Sequence, residues 1–131
     1  MRIKTEEQMQ SSVAIDELPR FAIGHLSMAA GDVVALTQFY GRLGMRVVVE
    51  SPGFAILELR GGTHLILQPG PAGAGELDLM VDDIDAARDA FLAEGVKVTR
   101  IMRGNPHDRF KVTDPEGNRL HVSSSHAMGL V

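Results

Sequence analysis

Residues 76–95 read Glu76-Leu-Asp-Leu-Met-Val-Asp-Asp-Ile-Asp-Ala-Ala-Arg-Asp-Ala-Phe-Leu-Ala-Glu-Gly95. The first six alternate apolar with polar, the pattern of a strand with one buried face. Asp83 is a helix N-cap. Ile84, Ala87, Phe91 and Leu92 then recur at helical spacing, and Gly95 stands where a helix stops. The same order occurs earlier in the chain. Phe21–Met28 reads as a strand and Asp32 as an N-cap. Val33, Leu36, Phe39, Tyr40 and Leu43 form the helical stripe, and Gly44 is the stop. A shift of 51 pairs Leu26 with Leu77, Asp32 with Asp83, Ala35 with Ala86, Gly44 with Gly95 and Val47 with Val98. The matching caps weigh most, because caps set where helices begin and end.

Working outward, each strand–helix unit is followed by three strand signals. In the first half they are Arg46–Glu50, Phe54–Leu59 and Thr63–Gln68, separated by Ser51-Pro52-Gly53 and Gly61-Gly62 turns. In the second half they are Val96–Met102, Arg109–Thr113 and Arg119–Ser123. Gly104–Asp108 reads as a loop, and Asp114-Pro-Glu-Gly117 suits a type I turn. At the last strand the shift becomes 55, pairing Gly62 with Gly117 and Leu65 with Leu120. The chain therefore reads βαβββ twice. A polar N-terminal arm (residues 1–20) precedes a single domain (21–125). That domain comprises module one (21–69), a Pro/Gly-rich linker (70–75) and module two (76–125), and a tail (126–131) follows.

The composition bounds the chemistry. The chain has 131 residues, 44% hydrophobic and 23% charged, an ordinary globular balance. It has no cysteine, which excludes disulfides, thiolate nucleophiles and cysteine-ligated metals, but it has five histidines. The net charge is −4, with the basic residues scattered, so nucleic acid is not an expected partner. No stretch approaches the roughly 18 apolar residues of a membrane span, and the N-terminus lacks the apolar run of a secretory signal. No membrane association and a cytoplasmic location are expected.

Strand alternation assigns faces. Leu26, Leu65, Leu67, Leu77, Leu79, Leu120 and Val122 share the parity that helices would cover. The other parity holds His25 and Ser27, His64, Ile66 and Gln68, Glu76, Asp78 and Met80, and Arg119, His121 and Ser123, with Phe54 as its clearest aromatic. This face is too polar for a second core and suits a ligand cleft. The shifts map His25 onto Glu76 and Ile66 onto His121. Three of these four equivalent positions carry metal-ligand side chains, and a two-histidine, one-carboxylate set leaves coordination positions open for substrate. Each histidine taken singly reads equally as a hydrogen-bonded or surface residue.

The motifs Ile23-Gly-His-Leu26, Phe39-Tyr-Gly-Arg-Leu-Gly-Met45, Val81-Asp-Asp-Ile-Asp85 and Asp114-Pro-Glu-Gly-Asn118 resemble those of the vicinal oxygen chelate superfamily. That superfamily includes glyoxalase I, bleomycin-resistance proteins and extradiol dioxygenases. The resemblance spans about residues 21–125. It implies an α+β fold of two tandem βαβββ modules forming an open, cleft-shaped mixed sheet, in a protein that forms homodimers. Metal-binding members place ligands on the first and last strands of each module, which here are His25, Ile66, Glu76 and His121. The sequence departs from the usual pattern: Ile66 is apolar, and Glu76 and His121 stand exchanged relative to the commoner order. His64 or Gln68 is a substitute for the missing ligand.

Two functions are expected from these residues. The first is an enzyme (lyase, isomerase or dioxygenase) that uses a divalent ion, one of Fe, Mn, Zn, Ni or Co, held by His25, Glu76 and His121. It would act on a small oxygenated organic molecule, with Glu76 or Asp78 moving the proton. His64, Ile66, Gln68, Phe54 and Arg119 would line the substrate site, Arg119 either gripping an anionic group or forming a plain ion pair with Glu58 or Asp78. The second is a metal-free small-molecule binder of the bleomycin-resistance type, against which the absence of Trp counts.

Overall fold

Two capped helices and seven strands follow one another in the computed structural model, which describes residues 20–104 and 106–125. Almost all of the arm (1–19), Asn105 of the loop and the tail with His126 lie outside the described residues. In chain order the elements are β1 (His25–Ala30), α1 (Val33–Leu43), β2 (Arg46–Glu50), β3 (Ala55–Glu58), β4 (His64–Pro69), β5 (Glu76–Val81), α2 (Ile84–Ala93), β6 (Arg109–Thr113) and β7 (Arg119–Ser124). The caps act as their chemistry requires. Asp32 accepts a hydrogen bond from the Ala35 amide and Asp83 one from the Ala86 amide, each at 3.0 Å. Gly44 and Gly95 adopt positive φ (114° and 76°), where a Cβ would be strained.

The strands form two sheets, of order β1-β4-β3-β2 and β5-β7-β6. In each, the first and last strands of a module pair in parallel, His25 beside His64 and Glu76 beside Arg119. Those registers reproduce the shifts of 51 and 55, so the repeat in the sequence is a repeat in space. The predicted inner residues Leu65, Leu67, Leu77, Leu120 and Val122 are buried, and Leu26 and Leu79 pack half-buried against them. They belong to one cluster with Tyr40, Phe39, Leu36, Phe91 and Phe110, so both sheets turn their polar faces away from a shared core.

Two predicted elements differ. The first strand begins at His25 rather than Phe21; Phe21 and Ile23 are 91% and 62% exposed and bury nothing there. Val96–Met102 is not a continuous strand but touches β6 by isolated bridges, Val98 to Val112 and Met102 to Arg109. Three residues lie between the bridges on one side and two on the other, so one residue is extra. The Arg88 side chain takes the Thr99 carbonyl (2.9 Å), and the Thr99 hydroxyl accepts the Lys111 amide (2.8 Å), so side chains replace part of the backbone ladder. The equivalent β2 also carries an irregularity, between Val47 and Val49, but keeps its ladder with β3.

The modules lock together through their last turns. Both turns have the same backbone bonds: Leu59 amide to Thr63 carbonyl and Gly62 amide to Leu59 carbonyl in one, Asp114 to Asn118 and Gly117 to Asp114 in the other. From the first, Arg60 reaches Asp82 (2.8 Å). From the second, Glu116 accepts the amides of Gly31 and Asp32 (both 2.8 Å) at the start of α1, where the helix dipole favours a carboxylate. Asp82 and Gly31 are themselves equivalent at the shift of 51. Behind Glu116, buried Asp114 accepts from the Tyr40 hydroxyl (2.6 Å), the Asn118 side-chain amide (2.8 Å) and the backbone amides of Glu116 and Asn118 (both 2.9 Å). Burial first, and Asp114 second, push the Tyr40 phenol well above its ordinary value.

Candidate functional site

Alternation places every predicted site residue on the outward face of one sheet or the other. On the first sheet, cross-strand rows run Glu58–His64–His25 and Ile56–Ile66–Ser27, with Gln68 and Phe54 beyond them. On the second sheet the equivalent rows run Thr113–Arg119–Glu76 and Lys111–His121–Asp78, followed by Arg109–Ser123–Met80. Directly paired side chains on one face lie close enough to interact. Equivalent backbone positions therefore carry different chemistry.

In the second sheet Glu76 and His121 converge. The His121 Nε2 lies 2.9 Å from Glu76 Oε1, and the Arg119 guanidinium lies 3.3 Å from the other carboxylate oxygen. Glu76 is half-exposed and borders a hollow of about 610 Å³ whose walls include Lys97, Thr99, Lys111, Arg119 and His121. Asp78 is exposed beside His121 in the register. Arg119 thus forms an ion pair, but with Glu76 rather than with the expected Glu58 or Asp78.

His25 does not join that pair within one chain. It stands on the first sheet, its ring 5.7 Å from that of His64 in an edge-on contact. His64 Nε2 lies 3.2 Å from Glu58, which also receives Arg46 at 3.2 Å. Among the described residues of the chain, no three histidine, aspartate or glutamate side chains gather closely enough to hold a metal ion. Ile66 and Ile56 lie side by side between these groups and Phe54, which is 44% exposed. Among the described residues, His25, Glu76 and His121 of one chain do not gather into a metal site by themselves.

Three features escaped the sequence reading. Lys97 and Lys111 border the hollow, and β6 alternation, which places Lys111 on the outward parity, could have found the second of them. The Arg103 guanidinium ties Asp85 (2.7 Å) to Asp108 (3.0 Å). The Gly104 amide and Arg103 together hold the Asp108 carboxyl below the ordinary range. The Asp108 and Ser124 main chains and the His107 ring (Nδ1 to the Ser124 carbonyl, 2.8 Å) anchor the predicted loop to the end of β7. Among the described residues, no helix is long and apolar enough to cross a membrane.

Comparison with known proteins places this geometry in a family. The model of the Glyoxalase/Bleomycin resistance protein/Dioxygenase superfamily matches residues 22–122. The lactoylglutathione lyase structure from Agrobacterium tumefaciens is similar over 86% of this chain and 100% of its own, at 22% identity and a TM-score of 0.72. A bleomycin-binding protein from bleomycin-producing Streptomyces verticillus, solved with copper(II)-bleomycin, is similar over 82% of this chain and 99% of its own, at 22% identity and a TM-score of 0.68. An antibiotic-binding protein from Streptomyces sp. CB03234 is similar over 82% and 98%, at 21% identity and a TM-score of 0.70. Comparison with curated proteins gives no match.

Proposed function

The chain belongs to the Glyoxalase/Bleomycin resistance protein/Dioxygenase superfamily, and from that premise we propose that it is a homodimeric, divalent-metal-dependent enzyme acting on a small oxygenated organic molecule. The observation that carries this reading is the convergence of Glu76 and His121 at 2.9 Å over a hollow of the second sheet, on positions equivalent to His25 and Ile66. Two sheet faces that point away from one core cannot close on a ligand by themselves. Face to face between two copies they bring His25 of one to Glu76 and His121 of the other, and they cover the exposed Phe54 and Met80.

His25, Glu76 and His121 are the residues that would hold the ion, and a bound divalent ion supplies Lewis-acid polarisation of a substrate oxygen. The protein's own side chains then divide the remaining work. Phe54, Ile66, His64 and Gln68 form the wall against the substrate's carbon frame. Arg119 orients the Glu76 carboxylate. Asp78, exposed beside His121, is positioned to accept a proton, and Glu76 is the second candidate for that transfer.

A second reading, a metal-free binder, draws on the Arg119 guanidinium already occupying one Glu76 oxygen and on the apolar Ile66. One experiment separates the two. Protein purified without chelator and offered Fe, Mn, Zn, Ni and Co should retain about one ion per subunit, and Glu76→Ala and His121→Ala should each lose it. Wild-type protein that takes up none of these metals overturns the enzyme reading in favour of the binder.

A further inference from the structure

The chain has only three lysines, and two of them, Lys97 and Lys111, border the same hollow. Arg119 and His121 share that hollow but are both engaged by Glu76. Among the described residues, neither Lys97 nor Lys111 has an ion-pair partner. The chain is acidic overall, at −4, yet this concavity gathers three permanent cations around one carboxylate.

The first module shows how the same framework stays neutral. Lys97 is equivalent to Arg46 at the shift of 51, and Arg46 is neutralised by Glu58 at 3.2 Å. The position equivalent to Glu58 in the second module is Thr113, which carries no charge. Lys111 is equivalent to Ile56, so its charge too is peculiar to the second module. Lys97, Lys111 and Arg119 border the same hollow, and like charges gathered in one concavity repel. An anion entering the hollow relieves that repulsion, and a concavity of one sign concentrates such ligands from solution.

We infer that this hollow is a subsite for an oxyanion, the carboxylate or phosphate group of a small organic molecule, gripped by Lys97 and Lys111 with Thr113 beside them. The assignment rests on the reading of this groove as the substrate site, and it narrows the substrate class to organic anions. The dication of lysines holds the anionic end, while the apolar wall of Ile56, Ile66 and Phe54 from the facing copy takes the carbon frame.

Calorimetric titration of the full-length protein with malonate, inorganic phosphate and the neutral isostere malonamide tests it. Malonate and phosphate should bind and malonamide should not. Lys97→Gln and Lys111→Gln should each weaken binding about tenfold. Thr113→Glu, which restores the carboxylate of the first module, should abolish it, and Arg46→Gln should leave it unchanged. Equal binding of malonate and malonamide, or malonate binding indifferent to both lysines and to Thr113→Glu, overturns the assignment. Metal content, measured on the same samples, separates this result from the reading beneath it. Protein that keeps its ion but ignores malonate loses only the anion subsite. Protein without metal that still binds malonate through the lysines keeps the subsite and loses only the metal.

Discussion

The two modules share one backbone plan, apart from the strand after each helix, and differ in what they hang on it. Both have a strand, an aspartate-capped helix, a glycine stop and a parallel pairing of first and last strands in the same register. The first module's turn offers the exposed Arg60–Asp82 pair. The second module's turn offers Glu116 on two backbone amides and a buried Asp114 that accepts four hydrogen bonds. The outward faces diverge in the opposite sense. The first has its charges paired off beside an apolar strip, and the second has unpaired cations in a hollow. In the proposed site the second module therefore supplies Glu76, His121 and the cations, and the first supplies His25 and an apolar wall; the buried joint pairs Asp114 of the second module with Tyr40 of the first.

The contrast at the turns makes the largest prediction. Asp114→Ala strands the Tyr40 hydroxyl, the Asn118 side chain and two backbone amides, and should cost about 3 kcal/mol or more in urea-induced unfolding. A cost no greater than that of Arg60→Ala would break the comparison between the two turns.

Tyr40 sharpens the same point. Its phenol is pushed above the ordinary value of about 10, so the folded state holds the proton more tightly than the unfolded state. That contribution is fully present below about pH 10 and is lost as pH rises further, because the unfolded chain ionises first. Tyr40 is the sole tyrosine, so phenolate absorbance follows it without interference. The absorbance change should coincide with alkaline unfolding rather than precede it. Tyr40→Phe should cost about 1–2 kcal/mol at neutral pH and flatten the alkaline loss. A phenol that ionises normally in the folded protein contradicts the buried joint.

Smaller effects rank the two cross-module ties. Glu116→Gln removes a charge from the start of α1 and should cost about 0.5–1 kcal/mol, diminishing with added salt. Arg60→Ala removes a pair whose partners are each more than half exposed, and should cost about 0.5 kcal/mol or less. Reversal of that order would place the stronger tie in the first module.

How much of this was legible in the sequence depends on how local the cause is. Helix ends were legible because Asp32, Asp83 and Gly44 act within four residues of themselves. The core followed from alternation in β4, β5 and β7. The broken strand after Val96 was not legible, because its cause is Arg88 reaching across from α2 to the Thr99 carbonyl. The repeat correctly ranked His25, Glu76 and His121 as equivalent to one another or to Ile66, but equivalence under internal symmetry is not proximity. It put His25 on a different sheet from the other two. Asp114-Pro-Glu-Gly117 was readable as a turn, but its tie to Tyr40 spans 74 residues and has no local signature. The lysine pair was hidden for the same reason: Lys97 and Lys111 border one hollow only when the irregular segment lies against β6.

The central claim is that the wall of one chain and the charged face of another make a single site. Mixed dimers of His25→Ala chains with Glu76→Ala/His121→Ala chains test it most directly, through their metal content after each variant alone is shown to bind none. In a shared site, one of the two sites in a mixed dimer collects both sets of substitutions and the other none, so mixing should restore about one ion per dimer. Mixed dimers that hold no metal, beside a wild-type protein that does, would put all three ligands in one chain and contradict the account.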